Sequence, residues 1–115
     1  MKFAIMMEES GEAWGKLAPA QQQEVMQQHG EFQRALEAEG KYVTSMRLAP
    51  ASKGRTVFRA DDGRIRVMDG PFAESKEVIG GLYVIEAASL DEAVEWAKRA
   101  RFITGWNEVR PLWQD

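Results

Sequence analysis

The 115-residue sequence predicts an α+β fold, and three observations carry that reading. Short β-rich runs and two helical stretches follow one another in the order strand, helix, strand, hairpin, strand, helix, strand. Each helical stretch has a single apolar stripe, so each can cover one side of a sheet. Two of the strands, in contrast, are apolar on both alternating faces, which calls for cover on both sides.

The first strand is residues 2–7, KFAIMM, apolar at successive positions. EESGEAWGKLAP then breaks the pattern with two glycines and Pro19. From Ala20 to Glu39 the chain is rich in Gln, Glu, Ala and Leu, and Val25, His29, Phe32 and Leu36 recur at helical steps. Gly30 is a weak point inside this helix, and Gly40 is its expected C-terminal stop. KYVTSMRLA reads as a strand ending at Pro50, and ASKG as a loop. RTVFRADDGRIRVMD reads as a hairpin, with Asp61-Asp62-Gly63 supplying the tight turn. LYVIEA, residues 82–87, is another strand. Ser89 with Glu92 three residues on is a capping box, opening a second helix through Leu90, Ala93, Val94, Ala97 and Arg101. WNEVRPLW closes the chain as a strand whose Pro111 lacks an amide hydrogen and so belongs on an edge.

Without the hairpin, two β-α-β units remain in series. That is the ferredoxin-like arrangement, an antiparallel sheet with both helices on one face. Two helices leave the other face open, and a large exposed apolar patch is disfavoured in soluble monomers. A second copy of the chain is the simplest cover. Two such sheets face to face form a dimeric α+β barrel, with an interior suited to a small-molecule pocket.

Composition narrows the function classes. The length, with 44% hydrophobic and 29% charged residues, fits a single domain spanning 1–115. A formal net charge of -3, with its cations scattered, argues against a nucleic-acid partner. The four tryptophans fit core or interface anchors better than a base-stacking platform, because no basic stripe accompanies them. The absence of cysteine removes disulfides, thiol nucleophiles and Cys-based metal centres, and fits a reducing compartment. The N-terminal stretch lacks a signal-peptide pattern and no run has the length of a membrane span, so a soluble cytoplasmic protein without a membrane partner is expected. No cofactor or metal is expected either: a metal would have to rely on one histidine and carboxylates. Gly80-Gly81 precedes a strand, the wrong context for a phosphate-binding loop.

The chemistry-bearing residues are few. His29, alone on an apolar stripe, is the candidate acid–base group, since an imidazole with an ordinary pKa of about 6.5 exchanges protons near neutrality. Asp69, at the end of a strand, is its candidate carboxylate partner. In VMDGPFAESKEVIGGLYVIE, turn chemistry explains Asp69-Gly70-Pro71 and Gly80-Gly81, but not the charged run between them. Glu74, Ser75 and Lys76 are therefore candidate pocket-mouth residues, with Lys76 or Arg47 holding an anionic group.

The stretch DGPFAESKEVIGGLYVIEAASLDEAVEWA resembles the signature of DGPF proteins in the YCII-related superfamily, and the likeness runs from MKFAIMM to EVRPL. The resemblance implies a dimeric α+β barrel. It also implies a family whose members mostly have no established activity, although one lineage includes an enzyme that removes HCl from a chlorinated muconolactone. Genes of DGPF proteins often lie beside those of extracytoplasmic-function sigma factors. YCII-like enzymes are thought to use a His–Asp pair, the His eleven residues before the glycine that ends the first helix, and His29 to Gly40 reproduces that spacing. The resemblance supplies no equally secure match for the Asp. The expectation is therefore a homodimer that binds a small anionic metabolite, in a regulatory setting linked to a sigma factor. The alternative is a cofactor-independent lyase or isomerase acting on a small lactone or carboxylated substrate through His29.

Overall fold

In the computed structural model, residues 1–8, 13–70, 79–100 and 105–113 are described. Strand β1 is Lys2–Glu8, followed by a one-turn helix α1 (Ala13–Lys16), helix α2 (Pro19–Ala38) and strand β2 (Tyr42–Arg47). A 3-10 turn at Ala51–Lys53 leads into β3 (Arg55–Arg59) and β4 (Ile65–Asp69). Strand β5 (Ile79–Glu86), helix α3 (Leu90–Arg99) and strand β6 (Asn107–Pro111) complete the order. Several boundaries differ from expectation: β5 begins at Ile79, so Gly80-Gly81 lie inside the strand and not before it, ASKG holds a 3-10 turn, and β2 ends at Arg47. The stretch before α2 contains α1, and Pro19 begins α2 because the first helical position needs no amide donor.

Four strands form an antiparallel sheet in the order β2-β5-β1-β6, the ferredoxin-like topology. Strand β6 is an edge, so Pro111, opposite Phe3, interrupts no ladder on its outer side. Register sorts the side chains. Phe3 and Ile5 of β1 pair with Ile85 and Tyr83 of β5, and all four are buried. Phe32 and Leu36 of α2, with Ala93, Trp96 and Ala97 of α3, complete that core. Both helices therefore cover the same face. Phe3, Ile5, Leu36 and Ile85 are sealed from solvent, each contributing about 1.5–3 kcal/mol by burial.

The alternate positions of the same strands behave differently. Ala4 pairs with Val84 and Met6 with Leu82, and all four are only half-buried. Met46, opposite Leu82 on the other side, is 51% exposed. No described element covers this second face.

The hairpin β3–β4 forms a sheet of its own, turning through Gly63 at φ +89°. Its main contacts are between its own arms, and Val57 and Val67, paired across it, remain largely exposed. The projecting arm explains a radius of gyration of 16.2 Å, where a compact chain of this length has about 13 Å.

Helix ends are satisfied locally. Gly40, at φ +68°, ends α2 as expected. The Ser89 hydroxyl accepts the amide of Glu92 at 3.1 Å, while the Glu92 carboxylate turns back to the Ala88 amide, one residue upstream of an ideal capping box. Lys41 pairs with Glu92 at 2.8 Å and, with the Ala88 amide, holds the carboxyl below its ordinary pKa. At the other end of α3, the Asn107 side-chain amide donates to the carbonyls of Ala97 and Ala100, at 3.3 and 3.0 Å. These carbonyls are among those a helix cannot satisfy itself. Replacing Asn107 by Ala is expected to cost about 1–2 kcal/mol in urea unfolding; an unchanged midpoint would show that water serves them equally well.

Candidate functional site

A cavity of about 330 Å³ lies between the middle of α2 and one end of the four-stranded sheet, at the lower end of the range for small-ligand sites. Its hollow has a sequence cause. Gly81 of β5 and Gly30 of α2 both line it and neither fills it. A Cβ at Gly81 would sit 2.8 Å from the Met46 carbonyl oxygen and 3.3 Å from Met7 Cε, so no larger residue fits there without displacement. Beside it β1 and β5 slip register: Met7 pairs with Gly81 but Glu8 with Ile79, leaving Gly80 as a bulge. Bulges of this kind re-aim neighbouring side chains.

His29 enters from α2. Its Nδ1 lies 2.9 Å from the Tyr83 hydroxyl, and either atom can donate, depending on the imidazole tautomer. The two rings lie nearly parallel, 12° apart with centroids at 6.0 Å, and Phe32 meets Tyr83 edge-on at 5.0 Å. The pair is thus fixed by packing as well as by hydrogen bonding. Burial, and then the nearby Arg47 charge, lower the His29 pKa to about 4, so the imidazole is neutral at pH 7. Burial also pushes the Tyr83 phenol up to about 12.

Arg47 comes from the end of β2. Its guanidinium lies 4.2 Å from the centroid of the Trp14 ring, a cation–π contact supplied by α1. It forms no ion pair with any described residue. Ser45, two positions earlier, accepts or donates a hydrogen bond with Tyr42 at 2.7 Å. Glu8 lies at the rim, its carboxylate packed against Gly105. The remaining wall, with Met7, Val25 and Met26, is apolar.

Of the residues expected from sequence, His29 and Arg47 thus meet in one cavity. Asp69 does not join them within the protomer. It ends β4 in the separate hairpin sheet, its side chain is 95% exposed, and it pairs with Arg55 at 3.3 Å. The position next to His29 Nδ1 belongs instead to Tyr83. Glu74, Ser75 and Lys76 lie outside the described residues. Sequence reading missed Tyr83, Trp14 and Asn107 as cavity residues. For Tyr83 a signal existed, since it stands two positions after Gly81 and so on the same face of β5. Among the described residues no cluster of His, Asp and Glu has the makings of a metal site. No helix among them is long and apolar enough to cross a membrane.

The buried neutral imidazole has a thermodynamic consequence. The unfolded chain binds a proton at His29 below about pH 6.5, whereas the folded chain resists until about pH 4. Stability is therefore lost as pH falls through that window. Between about pH 7.5 and about pH 5.5 the parent protein should lose more stability, by urea midpoint, than His29→Gln, which has no group to titrate there. Equal losses would place the imidazole in contact with bulk water.

The family model for the YCII-related domain matches residues 1–114. An uncharacterised protein of Rhizobium meliloti is 42% identical over 103 residues, covering 87% of this chain and 80% of that protein. With the ferredoxin-like sheet order already established, a match over nearly the whole length means that the chain belongs to the YCII-related family.

Proposed function

We propose that this protein binds a small anionic metabolite in the cavity between α2 and the sheet. The observation that carries the reading is Arg47. An exposed guanidinium at the edge of a partly apolar cavity, stacked on Trp14 and not ion-paired with any described carboxylate, is a ready receptor for a ligand carboxylate. Ser45, Tyr83, Gln33 and Asn107 line the same cavity and add neutral polar surface to it. The alternative, a lyase or isomerase using His29 as general base, needs a pKa poised near the working pH. An imidazole held at about 4 is a weak base in the empty site, which favours binding over catalysis. Resemblance to proteins encoded beside extracytoplasmic-function sigma factors supports a regulatory setting for such a binder.

In the same reading two copies pack through the uncovered sheet face and close an α+β barrel. The half-buried row of Ala4, Met6, Leu82 and Val84, with exposed Met46 beside it, supports this arrangement. Homodimerisation would remove that row from water, and of the residues named for it only Met46 also lines the ligand cavity.

Two measurements test the parts separately. Calorimetry with benzoate and its neutral counterpart benzamide should show the acid binding more tightly, and Arg47→Met should cut that preference by about 10-fold or more, as expected for a lost charged hydrogen bond. Equal binding of acid and amide by the parent protein would remove the anion from the reading. Sedimentation at micromolar concentration should give a dimer, and Leu82→Glu, which sets a carboxylate on the uncovered face, should give a folded monomer; a parent monomer would refute the barrel.

A further inference from the structure

Glu8 lines the same cavity as Arg47, and among the described lining residues these two carry charge at pH 7. Neither is ion-paired with a described residue, nor do they pair with each other. We infer that the cavity takes an ω-amino acid, its carboxylate on Arg47, its ammonium on Glu8 and its methylenes over Met7 and Gly81. The inference rests on the carboxylate site proposed above and adds an opposite charge at the far end of the ligand.

Sheet register holds the two charges apart. Met7 of β1 and Arg47 of β2 both pair with Gly81 of β5, so they stand on one rung with a strand between them. Two strand spacings separate their backbones by roughly 9–10 Å. Glu8 follows Met7 where β1 ends beside the bulge at Gly80, and its amide donates to the Trp106 carbonyl at 3.1 Å. In a regular strand Met7 and Glu8 would face opposite sides of the sheet, yet beside this bulge both line the cavity. The Glu8 carboxylate packs over Gly105, two residues before β6 and so on the side away from β2. A Cβ at Gly105 would collide with Glu8 Oε2, so the glycine leaves the room that the carboxylate occupies. Arg47 is held independently, by the Trp14 ring.

Between the charges the surface is apolar. Met7 Cε lies 3.3 Å from where a Gly81 Cβ would stand, so the thioether covers the central strand. An α-amino acid, whose two charges sit on neighbouring carbons, engages one of the two side chains at a time. A chain with a charge at each end engages both, and its methylenes leave water against Met7. Two side-chain charges without partners then gain charge-assisted contacts.

The test compares isomers by calorimetry on the parent protein near neutral pH. 6-Aminohexanoate and 2-aminohexanoate have the same atoms and the same two charges and differ in the distance between them. Hexanoate carries the anion alone, and hexanamide carries no charge. 6-Aminohexanoate should bind at least about 3-fold more tightly than hexanoate or 2-aminohexanoate, the scale of one half-exposed ion pair. In Glu8→Gln that advantage should vanish while hexanoate binding persists. If hexanoate binds better than hexanamide but 6-aminohexanoate gains nothing over it, or keeps its gain in Glu8→Gln, the inference falls and the anion site stands. Equal binding of the two isomers would overturn the spacing, and the inference with it. If hexanoate shows no advantage over hexanamide, the anion site falls and takes the inference with it.

Discussion

Tyr42 of β2 pairs with Ile85, but it is Thr44, not Val43, that pairs with the next residue, Val84. That single extra residue sets the content of the cavity. In an unbroken strand, side chains alternate, so Tyr42 and Arg47, five positions apart, would face opposite sides of the sheet. The bulge at Val43 shifts the phase by one. Tyr42 then packs on the core while Ser45 and Arg47, opposite Tyr83 and Gly81, also face the helices. Without the bulge the guanidinium would stand on the uncovered face, the Trp14 contact would be lost and His29 would have no cation beside it. The place of the Arg47 charge, and with it the smaller of the two causes that lower the imidazole pKa, follows from the register of one edge strand.

The two faces of the sheet are governed by different demands. On the helix side, large side chains of the described residues form the packed core, and the cavity lies beside Gly30 and Gly81. Partial burial disfavours the charged form of His29, whereas the exposed Arg47 guanidinium stays charged. On the other side, Met6, Leu82 and Val84 form a smooth apolar row with no glycine in it. A surface of that kind suits contact with another apolar surface rather than with a polar ligand. The cavity face and the uncovered face thus differ in composition as well as in position.

Much of the fold was legible because it rests on periodicity. The double-sided apolarity of FAIMM and LYVI announced a central pair, and β1 and β5 are indeed the two inner strands. The stripe of Val25, Phe32 and Leu36 became the buried face of α2, and Asp61-Asp62-Gly63 the hairpin turn. His29 and Arg47 were legible as lone polar groups near apolar runs. Their company was not. Pairing His29 with Asp69 placed the end of that strand within reach of a helix side chain, whereas β4 belongs to a separate ribbon where Asp69 meets Arg55 across the first rung. Sequence spacing carries no information about which strands share a ladder when a hairpin can leave the sheet. Nor does it register a one-residue bulge, since YVTSMR reads equally well in either phase.

The same separation bears on how the cavity should be read chemically. A carboxylate beside His29 Nδ1 would have favoured the imidazolium and made the ring a resident acid–base group. A phenol there does neither, because Tyr83 stays neutral and exchanges donor for acceptor at no charge cost. The Arg47 charge likewise disfavours a protonated ring, as the second cause of its low pKa after burial. The neutral Tyr83 thus leaves the ring without the resident countercharge that a fixed His–Asp pair would have supplied.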